Sequence, residues 1–259
     1  GAAFEMGINI NENGYYKSIK LSDGRIFLVT SGSNNEPESN NIVQKTYTRI
    51  FDEESMSWGE LASKKGSGVG FHLIELLDGR ILSIGGAQYK RMLIGTNREF
   101  SFDLPLSFFE IYNLETNTWT QVNIDIFSQH YSKPILLDNG QVMIKPFWDT
   151  DEQLCFDEDN FVEIRENDEE NLYCSKNTDR VFIFDPQSTT VFETVPLNGK
   201  YANLISKLPN GNIGAFGHHD PRSEDFGWFE EFEVEKGIWV RKKLECDSGG
   251  VFNNSTITA

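Results

Sequence analysis

Two segments hold the residues best suited to chemistry. "AQYKRMLIGTNREFSFDLPLS", residues 87–107, carries Tyr89, Lys90, Arg91, Arg98, Phe100 and Phe102 in a chain whose formal net charge is −17. Aromatic rings and guanidinium groups are the side chains that most often anchor interfaces, and rings also stack on sugar faces. "GHHDPRSEDFGW", residues 217–228, holds His218 and His219 beside Asp220 and Arg222 and ends in Trp228. Adjacent histidines on an extended segment point to opposite faces, so this pair does not chelate one metal ion unaided. A site would need a ligand from elsewhere, for which "FWDTDEQ" offers Asp149, Asp151 and Glu152, with Trp148 as a further ring. Solvated or capping polar residues are the simpler reading, and no metal is assigned. The candidate ligand-binding residues are Tyr89, Arg91, Arg98, Phe102, Trp148, His219, Arg222 and Trp228.

No catalytic residue or cofactor is assigned either. The chain has no Gly-x-Ser-x-Gly elbow, no Gly-x-x-x-x-Gly-Lys phosphate loop and no His-Glu-x-x-His pair. The acidic turns "FDEDN" and "ENDEEN" lack the alternating oxygens, fixed Gly and final Glu of a calcium loop. Cys155, Cys174 and Cys246 are odd in number and show no C-x-x-C spacing, which points to three reduced thiols and an intracellular, reducing setting. An isoelectric point near 4.6 repels phosphate backbones and anionic lipid surfaces, so nucleic-acid and membrane roles are disfavoured. No apolar stretch approaches the roughly 20 residues a membrane helix needs.

The elements that must position these segments follow from a repeat. "YYKSIKLSDGRIFLVTSG", "GFHLIELLDGRILSIGG", "YSKPILLDNGQVMIKPF" and "YANLISKLPNGNIGAFG" share one layout: a strand-like run, Asp-Gly or Asn-Gly, then a second apolar run. Asp23-Gly24, Asp78-Gly79, Asn139-Gly140 and Asn210-Gly211 are expected as two-residue hairpin tips with positive φ, which Gly, Asn and Asp tolerate best. Each module has a second half in which an aromatic precedes Trp by seven residues: Phe51 and Trp58, Tyr112 and Trp119, Phe232 and Trp239. A strand, a polar turn and a strand opened by Trp would lay both rings on a pleated surface covered by the next sheet. No stripe of helical period appears.

Four strands in about 50 residues cannot bury both faces of their own sheet, and radial stacking of several such sheets is the stable solution. Asp-Gly-Arg, an apolar strand, Gly-Gly, then an aromatic, a polar turn and Trp resemble the kelch repeat of kelch proteins and of the galactose oxidase propeller. Residues 67–127 carry the resemblance best, through "LLDGRILSIGG" and "IYNLETNTW". It implies an all-β chain, a β-propeller of four-stranded antiparallel blades. Five blades are expected in one domain over 1–259, at 14–66, 67–128, 129–168, 169–199 and 200–247, or six if the chain is a fragment. Residues 1–13 and 248–259 are expected to close the ring. The copper ligands and Cys-Tyr crosslink of galactose oxidase find no counterpart here: His72 and His130 fall at the start of innermost strands, and the cysteines fall in strand parts of the blades.

The second-to-third strand loops, at 31–46, 87–107, 146–153, 175–179 and 217–227, are expected to gather on one face. The reading is a non-enzymatic, monomeric kelch-like propeller that binds a protein or peptide there. The alternative is a carbohydrate-binding or carbohydrate-active propeller, with a glycan stacked on Tyr89, Trp148 and Trp228.

Overall fold

A computed structural model describes residues 15–35, 42–66, 70–94, 98–124, 133–146, 148–149, 176–177, 180–195, 197, 202–217 and 228–242. Among them every regular element is a strand, and four sheets have four antiparallel strands each. The first runs β1 (Tyr15–Lys20), β2 (Ile26–Asn35), β3 (Ile42–Asp52), β4 (Ser57–Leu61). The second is built from β5 (His72–Glu75), β6 (Ile81–Ile84), β9 (Phe108–Asn113) and β10 (Thr118–Asn123), with β7 (Ala87–Ile94) and β8 (Arg98–Pro105) as a separate two-stranded ribbon between β6 and β9. The third joins β11 (Ile135–Leu136), β12 (Val142–Ile144), β15 (Phe182–Asp185) and β16 (Thr190–Glu193), and β13 (Trp148–Asp149) pairs with β14 (Lys176–Asn177) between β12 and β15. The fourth contains β17 (Ala202–Lys207), β18 (Ile213–Gly217), β19 (Trp228–Glu233) and β20 (Ile238–Lys242).

The four first turns are the same object. Leu21, Leu76, Leu137 and Leu208 each accept the amide of the Gly three residues on, and the intervening Asp23, Asp78, Asn139 or Asn210 accepts the amide two residues beyond itself. Only Gly24, Gly79, Gly140 and Gly211 take positive φ there. The expected two-residue tip is thus corrected to a type I turn closed by a left-handed glycine, because the Asp or Asn side chain stabilises an ordinary backbone through its own hydrogen bond. The second turns repeat as well. Met56, Asn117, Thr189 and Gly237 hold positive φ at matching positions, and Asp52, Asn113 and Asp185 each cap two amides of the turn.

Period-two alternation then assigns each strand's two faces to two different neighbours. Phe27 and Val29 of the first sheet bury against Phe71, Ile81, Tyr112 and Trp119. From the opposite face of the second sheet, Leu82, Phe109 and Ile111 bury against Val142, Phe182 and Phe184 of the third, with Phe109 edge-on to Phe184 at 5.5 Å. Met143 and Ile183 of the third sheet meet Ile213, Phe232 and Trp239 of the fourth. Each core therefore lies between consecutive sheets. The first turns also touch from sheet to sheet: Ser22 donates to Glu75 through its amide at 2.7 Å and its hydroxyl at 2.8 Å, and Asp138 pairs with Lys207 at 2.5 Å. This successive face-to-face packing is a propeller-like arrangement.

Two expected boundaries are corrected. Residues 129–168 and 169–199 do not form separate blades in their described parts, since β12 pairs with β15 and completes a single sheet. The long acidic excursion between these strands widened the spacing of the Gly turns and imitated an extra module. The loops at 31–46 and 87–107 are largely strand: β2 and β3 pair out to Asn35 and Ile42, and β7 pairs with β8 from Ala87–Pro105 to Ile94–Arg98.

Candidate functional site: the ribbon end of the sheets

β2 and β3 pair out to Asn35 and Ile42, past Ser31, where the described pairing of β2 with β1 ends. In the second sheet Gly85 and Gly86, at φ of 73° and 106°, break the strand before it resumes as β7. Between β12 and β15 of the third sheet, β13 and β14 pair as a separate two-stranded segment in their described residues. All three leave the end opposite the Asp-Gly and Asn-Gly turns, because strand direction alternates from each first turn, and β3 touches β7. Tyr89, Arg91, Arg98 and Phe102 sit on this ribbon, where Tyr89 pairs with Asp103, Arg91 with Ser101 and Lys90 with Phe102. Trp148 pairs with Asn177 in the β13–β14 segment. His219, Arg222, His130 and all three cysteines lie outside the described residues.

Trp228 opens β19 at the same end of the fourth sheet but is 3 % exposed and belongs to the core shared with the third sheet. Its indole occupies the space above Gly217, where an added Cβ would collide with it, and the Arg241 guanidinium lies 5.4 Å from its ring centre. His72 begins β5, half-buried.

The buried polar side chains collect toward this end too. Ser31, Thr46, Ser83, Glu110 and Glu230 lie on the ribbon-side halves of their strands, and Thr48 lies just past the middle of β3. Between the first two sheets, Lys64 Nζ meets Glu110 Oε2 at 2.8 Å with side chains 2 % and 1 % exposed. Glu110 also accepts the amides of Lys65 at 2.8 Å and Gly66 at 3.1 Å, while Lys64 donates to the Gly66 carbonyl at 2.8 Å. Thr46 donates its hydroxyl to the Lys64 carbonyl. Burial pushes the Lys64 ammonium below the usual lysine range, and the Glu110 charge opposes that shift. With both carboxylate oxygens engaged and Phe71 5.2 Å from the ammonium, the pair is a strut under the ribbon rather than a reactive amine. The hydroxyls of Thr48 and Ser83, buried in the same seam, have no hydrogen-bond partner.

Sequence reasoning overlooked this pair because Lys64-Lys65 reads as a solvated run. The signal was the alternation of β9: Glu110 shares parity with Tyr112, whose ring faces the first sheet, so its carboxylate had to be buried on that side and required a cation. Among the described residues no group of three His, Cys, Asp or Glu side chains comes together.

The fold and its ribbon-bearing end define an all-β, propeller-like protein of stacked four-stranded antiparallel sheets. No family model matches the chain, and no curated protein does. The solved structures similar to it include one described as "Structure of YjhT", at 11 % identity and a TM-score of 0.49, over 89 % of this chain. The chain spans about 65 % of the length of that protein.

Proposed function

We propose that the protein is a non-enzymatic, kelch-like propeller that binds a protein or peptide through the face formed by its strand extensions. One observation carries this reading: the ribbon 87–105 is an outgrowth that completes no sheet, yet it concentrates aromatic and cationic residues in a strongly acidic chain. Lys90, Arg91 and Arg98 stand there against only Glu99 and Asp103. A two-stranded ribbon is marginal alone, so a surface that supports one invests in presenting its residues.

The test is affinity capture from source lysate with the wild-type chain, a double Arg91→Ala/Arg98→Ala variant and a Trp148→Ala variant, run beside a glycan array. The expected result is a polypeptide retained by the wild type and lost with the double arginine variant at unchanged thermal stability. A glycan bound in a Trp148-dependent way, with no polypeptide retained, would replace this reading by the carbohydrate one.

A further inference from the structure

The two outer sheets of the described stack differ from the inner ones in what covers them. Tyr112 and Trp119 are 0 % and 7 % exposed, and Phe232 and Trp239 are 2 % and 6 % exposed, because a preceding sheet lies on each pair. The far face of the fourth sheet has no such cover among the described residues. Leu204 is 45 % exposed, and Phe216 and Phe229, stacked at 4.6 Å, are half-buried. Register places Phe216 where Val29 stands in the first sheet: Val29 follows Ile26, the partner of Phe51, by three residues, as Phe216 follows Ile213, the partner of Phe232. Val29 is fully buried by the second sheet.

What covers Val29 enters through Phe71. The chain leaves β4, passes "SGVGF" at 67–71 and starts β5, and Phe71 buries completely against Tyr15, edge-on at 5.4 Å. After β20 the chain reads "SGGVF" at 248–252. The spacing is the same, for Phe71 follows Trp58 by thirteen residues and Phe252 follows Trp239 by thirteen. β4 and β20 also end at the same distance beyond their tryptophans. The residues after Phe252, "NNSTITA", include the β-branched Thr256, Ile257 and Thr258 that suit a strand.

We propose that residues 248–259 are the occupant of the fourth sheet's far face: they add the first strand of a further sheet, with Phe252 packing over Leu204 and Phe216 as Phe71 packs on the first sheet. The occupant is thus a segment of this chain and not a second copy or a separate partner.

The experiment compares the full chain with Phe252→Ala and with a chain ending at Asp247, by amide hydrogen exchange, by binding of a dye for exposed apolar surface, and by size-exclusion chromatography. Faster exchange in 202–217 by tenfold or more in both variants, with added dye binding and unchanged exchange in 72–84, supports the proposal. Return of protection when a peptide of residues 246–259 is added to the truncated chain supports it independently. Unchanged exchange at 202–217 in both variants overturns it. So does a full-length dimer in which dissociation, and not truncation, exposes that face.

Discussion

The indole nitrogen of Trp119 donates to the carbonyl of Ala62 at 2.8 Å, tying the outer strand of the second sheet to the chain that has just left the first. Asn117 accepts the Ala62 amide at 2.7 Å and the Tyr112 hydroxyl at 2.7 Å, so both backbone polar groups of one linker residue are held by the following sheet. Burial pushes the Tyr112 hydroxyl up to about 12, which keeps it protonated and donating. Between the third and fourth sheets Trp239 reaches Thr194 in the same sense, at 3.5 Å.

Trp119→Phe keeps a ring in the core but leaves the Ala62 carbonyl without its donor, and is expected to cost about 1–2 kcal/mol. Trp119→Ala also empties the site and is expected to cost about 3–5 kcal/mol. Urea unfolding measures both, and a Phe variant as damaging as the Ala variant would show that the hydrogen bond, not the ring, carries the effect.

Breaking the Lys64–Glu110 pair from one side leaves a buried charge, so Lys64→Met alone is expected to destabilise by about 3–5 kcal/mol. The double variant Lys64→Met/Glu110→Gln should recover part of that loss, although the amides of Lys65 and Gly66 still need an acceptor. A double-mutant cycle in denaturant reads the coupling, and additivity of the two changes would contradict the strut.

The carboxylates of the second turns predict an acid limb. Asp52 is held below the usual aspartate range by the amides of Ser55 and Glu54, and Asp185 by the amide of Gln187. Because the unfolded chain binds these protons more readily, their contribution is complete above about pH 4 and is lost as pH falls through the lower folded values. Asn113 caps the equivalent turn without a charge, so Asp52→Asn and Asp185→Asn should retain stability at neutral pH and flatten the decline below pH 4. Stability measured by denaturant titration between pH 2 and 7 decides it.

Trp228 separates a core role from a binding role. Trp228→Ala is expected to lower stability by about 3–5 kcal/mol, and Gly217→Ala to destabilise through collision with the indole. Thermal unfolding checks both, and a Trp228→Ala chain as stable as wild type would return this residue to the list of ligand contacts.

Much of this architecture was legible in the residues. Asp-Gly and Asn-Gly marked four first turns, because only Gly accepts the φ required there and Asp or Asn caps the preceding bend. The aromatic and Trp seven residues apart marked the third and fourth strands, since cross-strand pairing sets Tyr112 opposite Trp119 and Phe232 opposite Trp239. Those are local rules, satisfied within one hairpin. The aromatic and cationic residues of 87–105 stand out in the sequence, but their hairpin does not, because its alternation is blurred by cations among the apolar residues.

Which hairpins share a sheet is a different kind of fact. Spacing alone splits residues 129–199 in two, whereas the antiparallel pairing that sets Met143 opposite Ile183 joins them across a gap that no local signal spans. The burial of Trp228 and the meeting of Lys64 with Glu110 likewise depend on what a neighbouring sheet brings, and desolvation there decides between a solvated surface residue and a core one. Sequence determined the hairpins, whose energetics are short-range; tertiary packing decided their grouping and the chemistry of the seams between them.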